Sequence, residues 1–449
     1  MSPWGKWQKY HGVGGGNKVP GKSLQRYALV PDQIWDGTAD QPLSNTAVVV
    51  DETLVDAVIP LKELPTDLER VTLEGCTLIP GLIDAHVHYS PVMGAAMLAG
   101  GVTTIRDVGN DLEWIINQRS INGTHGALGP TILCCGHLHD GPEVYWPRMG
   151  WANPTPSALR SSIQRHASAG VNAIKLYDGL TPDLFAVAVD ESHKHNLFVT
   201  AHLVKTSIEE AAAVGVDGVE HLSRCDVAWR EAEDEEDDIL IDILLKHGVS
   251  LDPTIVVWDR LGRIMEHAFT KDRRREWVHP THLYIWDNYR TRLDSPDSRR
   301  RQQISIGYLK RFLRRANEAG LTIGLGTDTP FPHLVPGFSV HDELAMYVDA
   351  GFTPVDALRS ATSVNARILG VQSTLGQIAP GMVADLVAMN GNPLERIDDV
   401  GNVEMVIRSG ELLSRGYLLE ITRDSFGEGP VDPVTQDLLE VTDAGPKTE

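Results

Sequence analysis

The sequence predicts an α/β fold: a closed eight-stranded parallel barrel wrapped by helices, with a small β-sandwich assembled from both ends of the chain. Three observations carry that expectation. Residues from about 80 to 370 alternate short apolar runs with longer amphipathic ones, the rhythm of strands and helices in a parallel sheet. Eight of the apolar runs read as strands, the number a closed barrel needs. Both flanks of that middle are rich in short β-like runs broken by Gly, Pro and Asp.

Taken in order, residues 1–25 form an N-terminal extension, aromatic and basic, with the flexible run Gly14 to Gly16. Residues 26–79 are the first part of the small β domain, with strands at Tyr27 to Val30, Ala47 to Val50 and Val71 to Leu73. The barrel spans 80–370. Its strands, the first starting just before that boundary, are Leu78 to His86, Val102 to Asp107, Thr131 to Gly136, Ala173 to Tyr177, Phe198 to His202, Gly218 to His221, Val249 to Pro253 and Thr322 to Asp328. Their near-continuous apolar content argues that both faces are covered. Helical patterns at Ser157 to Ala169, Leu184 to His195, Ile208 to Ala213 and Val355 to Leu369 supply the cover. Residues 371–422 return to the small β domain through Asp385 to Met389 and Val403 to Arg408, after the Gly-x-x-x-Pro-Gly punctuation at Gly376 to Gly381. An acidic tail occupies 423–449.

One stretch, 224–320, departs from the rhythm. Its acidic run, Glu231 to Asp238, and basic clusters, Arg273 to Arg275 and Arg299 to Arg301, read as solvated helix faces. Its length allows it to roof one end of the barrel.

Composition narrows the function classes. Hydrophobic residues make up 42% and charged residues 22% of 449, which rules out disorder throughout. The net charge of −21 repels phosphate backbones and anionic lipid, so neither nucleic acid nor a membrane is an expected partner. No run approaches the roughly 18 apolar residues of a membrane span. The first twenty residues lack the apolar core of a secretory signal, and a cytoplasmic protein is expected. Cys76, Cys134, Cys135 and Cys225 form no CxxC pair and read as buried free thiols. Gly14 to Gly16 has no following Lys-Ser/Thr, so it is not a phosphate-cradling loop.

Chemistry shows in where the polar residues fall. The first barrel strand ends His86-Val87-His88, and alternate residues of a strand share a face, so both imidazoles can approach one ion. Lys175, His202, His221 and Asp328 stand at or near the ends of four further strands. In a parallel barrel those ends converge on one mouth. A single His or Asp at a strand end is usually a satisfied polar group. Five strand ends in agreement point instead to a metal site. Imidazole and carboxylate suit zinc and related divalent ions, which lower the pKa of water and polarise carbonyls, so hydrolysis follows.

These residues also carry a resemblance. Pro80-Gly81-Leu82-Ile83-Asp84-Ala85-His86-Val87-His88, with Lys175, His202, His221 and Asp328 in that order, resembles the amidohydrolase superfamily of metal-dependent hydrolases. Gly101-Val102-Thr103-Thr104 and the closing run from Gly376 to Val387 belong to the same likeness, which covers about 390 residues. The resemblance implies a distorted (β/α)8 TIM barrel with two divalent ions, zinc foremost, although ligand type does not select zinc over manganese or cobalt. It places His86, His88 and Asp328 on one ion and His202 and His221 on the other, with Lys175, carboxylated by carbon dioxide, between them. An unmodified ammonium cannot ligate a cation, and an unpaired one buried in Ala173 to Tyr177 is unfavourable; pairing with Asp178 is the ordinary alternative. Asp328 is the expected base.

Ring deaminases of the superfamily carry an acidic or polar residue just after the strand-five histidine. Here the run is His202-Leu203-Val204-Lys205. That departure, with Lys175, points to the branch resembling prolidase-like dipeptidases, N-acyl-amino-acid hydrolases and ochratoxin-type amidases. The expected substrate is a small-molecule amide or dipeptide that releases an amino acid. A mononuclear cyclic-amide hydrolase or deaminase is the alternative within enzymes, and a non-catalytic barrel scaffold the alternative outside them. Relatives of this branch assemble, so a homo-oligomer is expected, with an octamer as one form.

Substrate contacts are assigned to His137 beyond strand three, to Tyr177 two residues after Lys175, and to His333 in the Pro-rich loop after Asp328. His137 and His139 also have readings as loop polar groups or a third metal site, and Tyr177 as a packed aromatic. His193 and His195 read as solvent-exposed on a helix.

Overall fold

The computed structural model describes residues 25–221, 234–264, 266–289, 296–426 and 432–443. The extension before residue 25, Cys225, the start of the acidic run at Glu231, the side chains of Arg299 to Arg301 and the end of the acidic tail lie outside the described residues.

The first strands are β1 (Arg26–Ile34), β2 (Leu43–Ser44), β3 (Thr46–Asp51), β4 (Leu54–Pro60) and β5 (Glu69–Pro80). Strand β5 buries Val71 and Leu73 on one face, then is buried almost continuously from Cys76 onward as it passes into the body of the protein. It stops at Gly81, where a Cβ would lie 2.1 Å from Thr103 Oγ1, so only glycine lets the backbone pass. The chain resumes as β6 (Leu82–Val87), followed by β7 (Val102–Asp107) and β8 (Thr131–Cys134). The expected single strand Leu78 to His86 is therefore two strands, serving two sheets.

Next come β9 (Leu138–Asp140), β10 (Gly150–Ala152), β11 (Ala173–Leu176), β12 (Phe198–His202), β13 (Gly218–Glu220) and β14 (Ser250–Asp252). Helices Pro156–Ala169, Pro182–Lys194, Ile208–Ala213 and Asp234–His247 separate the strands from β10 to β14, the expected alternation. Their ends are written in local chemistry. Thr155 accepts a hydrogen bond from Ala158 N at the start of the first, and Gly170 closes it with a left-handed φ of 76°. Ser207 and Glu210 form a reciprocal capping box on the third.

The chain ends with β15 (Leu386–Asn390), β16 (Val403–Arg408), β17 (Glu411–Ser414) and helices Arg415–Asp424 and Pro433–Asp443. Strands from both ends of the chain meet as expected, yet they form one mixed sheet of order β17-β16-β15-β5-β1-β3-β4, with β2 on β1, rather than a sandwich. The seam is antiparallel pairing of β15 with β5, Leu386 opposite Pro80.

Strands β10-β9-β11-β12-β13-β14 form a second, parallel sheet, and β6-β7-β8 a third. The expected eighth strand, Thr322 to Asp328, is not regular: it makes isolated bridges, Leu251 with Ile323 and Val87 with Thr329. Its hydrogen bonds go both ways nonetheless. Leu251 N donates to Thr322 O (3.0 Å), Ala85 N to Leu325 O (2.9 Å), and Asp328 N to His86 O (2.8 Å). Asn365 supports it from behind, accepting from Leu325 N and donating to the carbonyls of Ile83 and Leu325. That asparagine follows a π-helical turn, Ser360–Val364, which interrupts the expected helix Val355 to Leu369. Between the other sheet edges, Asn172 N donates to Cys134 O (2.8 Å).

Cys76, Cys134 and Cys135 are buried and free. No helix among the described residues is long and apolar enough to cross a membrane.

Candidate active site

One cavity of about 140 Å³ opens where β6, β11, β12 and β13 end, and six of its lining residues are His86, His88, Lys175, His202, His221 and Asp328. All six anticipated ligands thus reach one place. His86 leaves β6, His88 follows it, and Asp328 stands 3.4 Å by Oδ1 from the Nε2 atoms of both. The His221 ring centroid lies 4.3 Å from that of His86 and 5.0 Å from that of His202. Ligand atoms of His86, His221 and Asp328 all lie within 4.8 Å of one another.

The imidazoles are oriented from behind. His86 Nδ1 meets Glu220 Oε2 at 2.6 Å, His88 Nδ1 meets the Gly109 carbonyl at 3.0 Å, and His221 Nδ1 meets Thr254 Oγ1 at 2.6 Å. With Nδ1 engaged, Nε2 is the nitrogen left to face the cavity, which is how metal-binding histidines are held. Glu220 also receives Arg106 and Thr200, so a buried carboxylate, guanidinium and hydroxyl brace the first imidazole. Burial works against a charged Glu220, but Arg106, Lys175 and His86 together hold its carboxyl well below the ordinary range.

Lys175 is buried and its Nζ has no hydrogen-bond partner. Burial pulls its pKa down, with the Arg106 charge adding to the effect against Glu220. A buried amine without a hydrogen-bond partner, ringed by imidazoles and a carboxylate, is unfavourable as a charged ammonium. Asp328 is held well below the usual carboxylate range: burial would raise it, and His86, His88 and His221 overcome that. The donor set therefore fits divalent cations.

The remaining wall is mostly aromatic and apolar, including Leu138, Trp146, Tyr177, Trp258, Tyr289 and Phe331, with the exception of Asp178, whose Oδ1 lies 3.3 Å from His202 Nε2. Tyr177 lines the cavity as expected, and its hydroxyl accepts from Trp146 Nε1 at 3.0 Å. His137 and His333 do not line it. Leu138 of β9 faces the cavity, so its neighbours His137 and His139 turn the other way by strand alternation and pack with His166 and Trp151. His333 has a left-handed backbone (φ 65°) that turns it onto Phe269, ring centroids 5.3 Å apart, while Phe331 takes the wall. Helix Ile255–Gly262, from the long segment between barrel strands, supplies Val257, Trp258 and Leu261 to the wall.

Glu220, Arg106 and Thr254 escaped the sequence reading. Glu220 and Arg106 had a signal, since a charge inside an apolar strand needs a partner. Thr254 had none.

A cavity ringed by four histidines, a lysine and an aspartate at the ends of parallel strands makes a candidate metal centre in an α/β domain. The profile described as Amidohydrolase family matches residues 77–413, and one described as NagA composite domain matches 26–78. This chain belongs to the amidohydrolase family and is a hydrolase of carbon–nitrogen bonds. The family generally uses metal ions. Ochratoxinase of Aspergillus niger is 25% identical over 424 residues, covering 80% of each chain. A 5-methylthioadenosine/S-adenosylhomocysteine deaminase of Syntrophobacter fumaroxidans is 24% identical over 77% of this chain and 80% of its own. The structure of a putative prolidase from Bifidobacterium longum superposes with TM-score 0.70 at 27% identity, covering 94% of this chain and all of that one. The α/β domain is TIM-barrel-like, as in these neighbours.

Proposed function

We propose that this chain is a binuclear metal-dependent amidohydrolase that cleaves an exocyclic amide and releases an amino acid, from an Xaa-Pro dipeptide, an N-acyl amino acid or an ochratoxin-like amide. The observation that carries the reading is the convergence of His86, His88, Lys175, His202, His221 and Asp328 on one cavity. The names of its relatives, ochratoxinase and prolidase, support it. In this reading 322–328 is the eighth strand of a distorted (β/α)8 barrel over 80–370. Residues 26–79 and 371–422 form the small β domain, and the enzyme is a cytoplasmic homo-oligomer.

His86, His88 and Asp328 would hold one ion and His202 and His221 the other, with Lys175 shared once carboxylated. Two such cations, zinc foremost, would polarise the amide carbonyl and acidify water. The chain's own groups do the rest. Asp328 takes the proton of the attacking water and delivers it to the leaving nitrogen. Tyr177 donates its O–H to the carbonyl oxygen as charge grows there, and its own orientation is fixed by Trp146 Nε1. Trp258 and Phe331 exclude bulk water from the reacting bond.

A second reading, a one-ion hydrolase or deaminase of a cyclic amide, draws on the tight grouping of His86, His221 and Asp328 and on the deaminase relative. Metal analysis of the purified protein separates them: two ions per chain support the first, one the second. Screening Xaa-Pro dipeptides and N-acyl amino acids for amino acid release completes the test. Bound metal with no amide cleaved overturns the amide assignment.

A further inference from the structure

The family profile ends at residue 413, yet a helix beyond it holds a segment that supplies two residues of the cavity wall. Helix Pro433–Asp443 presents Asp437, fully buried, to the segment between β9 and β10. Asp437 Oδ2 accepts from the backbone N–H groups of Arg148 (3.0 Å) and Met149 (2.9 Å), and Oδ1 accepts from the Arg148 guanidinium (3.0 Å). Glu440, one turn on, pairs with the same guanidinium. The segment so held carries Tyr145 and Trp146, both on the cavity wall. Its other end is fixed by Asp140, which accepts from Gly141 N and Tyr145 N. Trp146 then spans the mouth, donating to the Tyr177 hydroxyl and standing edge-on to Phe331 with centroids 6.0 Å apart.

The same helix is tied to two further parts of the site. Asp432, just before it, accepts from Ser90 Oγ at 2.7 Å, two residues after His88. Thr435 meets His282 Nε2 at 3.0 Å, on the helix Pro280–Tyr289 whose last residue lines the cavity.

We infer that the C-terminal helix is a working part of the active site, and that Asp437 is a positioning residue which seats Trp146 against the substrate and so sets the fit of its side chain. A buried carboxylate that holds two successive backbone amides fixes the path of a loop in a way no exposed contact does. Because Asp437 touches no reacting atom, its loss acts on substrate fit and leaves the metal ligands in place. The kinetic part rests on amide hydrolysis as proposed above, and the fluorescence part does not.

The test compares the parent with Asp437→Ala and Asp437→Asn. Each is also made with Trp146→Phe, so that subtraction isolates Trp146 among the ten tryptophans. In Asp437→Ala, acrylamide quenching of the Trp146 signal increases. KM for the Xaa-Pro dipeptide or N-acyl amino acid that the parent cleaves rises about tenfold, as expected when hydrogen bonds to a charged acceptor are lost. Metal content stays within about twofold, and any fall in kcat is smaller than the rise in KM, since Trp146 also orients Tyr177. Asp437→Asn, which keeps an acceptor, recovers part of both effects. A folded Asp437→Ala protein with a lower melting temperature but unchanged quenching and KM overturns the inference, because stability alone gives that result. If Asp437→Ala does not fold, Asp437→Asn and Arg148→Ala are read in the same way. If the parent cleaves no amide, the proposed function fails, and the quenching comparison alone decides the role of Asp437.

Discussion

Asp328 has a left-handed backbone (φ 68°), as do His221 and Thr254 nearby. Conformations of that kind carry strain of roughly 1–3 kcal/mol outside glycine and persist where surrounding bonds fix them. Here the Asp328 amide is held by the His86 carbonyl, and its carboxylate lies against two imidazoles. Asp328→Asn keeps the shape and the backbone bond but cannot take a proton, so the fold should survive while turnover falls about 10²- to 10⁴-fold. Circular dichroism and kcat measured together check this, and near-normal turnover removes Asp328 from the role of base. The six anticipated ligands were legible because strand periodicity and the shared direction of parallel strand ends place them without coordinates. Glu220, Arg106 and Thr254 were not, because which strand neighbours which, and what stands behind a ring, is a property of the assembled sheets. His137 was misplaced by one residue of alternation, since β9 was not anticipated as a strand and its facing could not be assigned.

Among the elements, helix Ile255–Gly262 shows how a wall is anchored. Glu343 is buried, and its two oxygens accept from Ile255 N and Val256 N at the start of that helix, 2.8 and 2.6 Å away. Burial nevertheless pushes the Glu343 carboxyl up to about 8, although these bonds oppose it. The sign follows from which state binds the proton more tightly. Between the ordinary glutamate range and pH 8 the folded protein keeps a proton that the unfolded chain releases. Glu343 therefore contributes a loss of stability as pH rises from about 5 to about 8, at most about 1.4 kcal/mol per pH unit. Glu343→Gln removes that titration, so the stability difference between variant and parent should change in the variant's favour across this range. Urea midpoints at several pH values measure it, and a difference that does not vary with pH refutes it. The segment 322–329 taught a different lesson. Its sequence alternates like a strand, but Gly324 and Gly326 and the capture of Leu325 by Asn365 replace regular pairing with side-chain bonds, which no periodicity reports.

At the scale of the molecule, the β-rich ends were legible as partners, but their single mixed sheet was not, because pairing of β15 with β5 joins residues some three hundred positions apart. That sheet delivers β5 into β6 and so places His86 and His88. The anticipated ligands are correspondingly dispersed: His86 comes from the three-stranded sheet, Lys175, His202 and His221 from the six-stranded one, and Asp328 from the segment hydrogen-bonded between them. Cations bound there would cross-link all three. A ligand that binds only the folded state stabilises it by RT ln(1 + [L]/Kd), about 4 kcal/mol at a thousandfold excess over Kd. For a chain of this size that corresponds to a shift of a few degrees, about 1 °C per kcal/mol. Chelation should therefore lower the melting temperature of the whole protein in one transition, followed by both tryptophan emission and circular dichroism, and added zinc should restore it. Since the −21 net charge attracts cations without a specific site, magnesium at equal ionic strength is the control. If magnesium restores stability as well as zinc does, the gain comes from general charge screening and not from imidazoles and a carboxylated lysine gathered around bound ions.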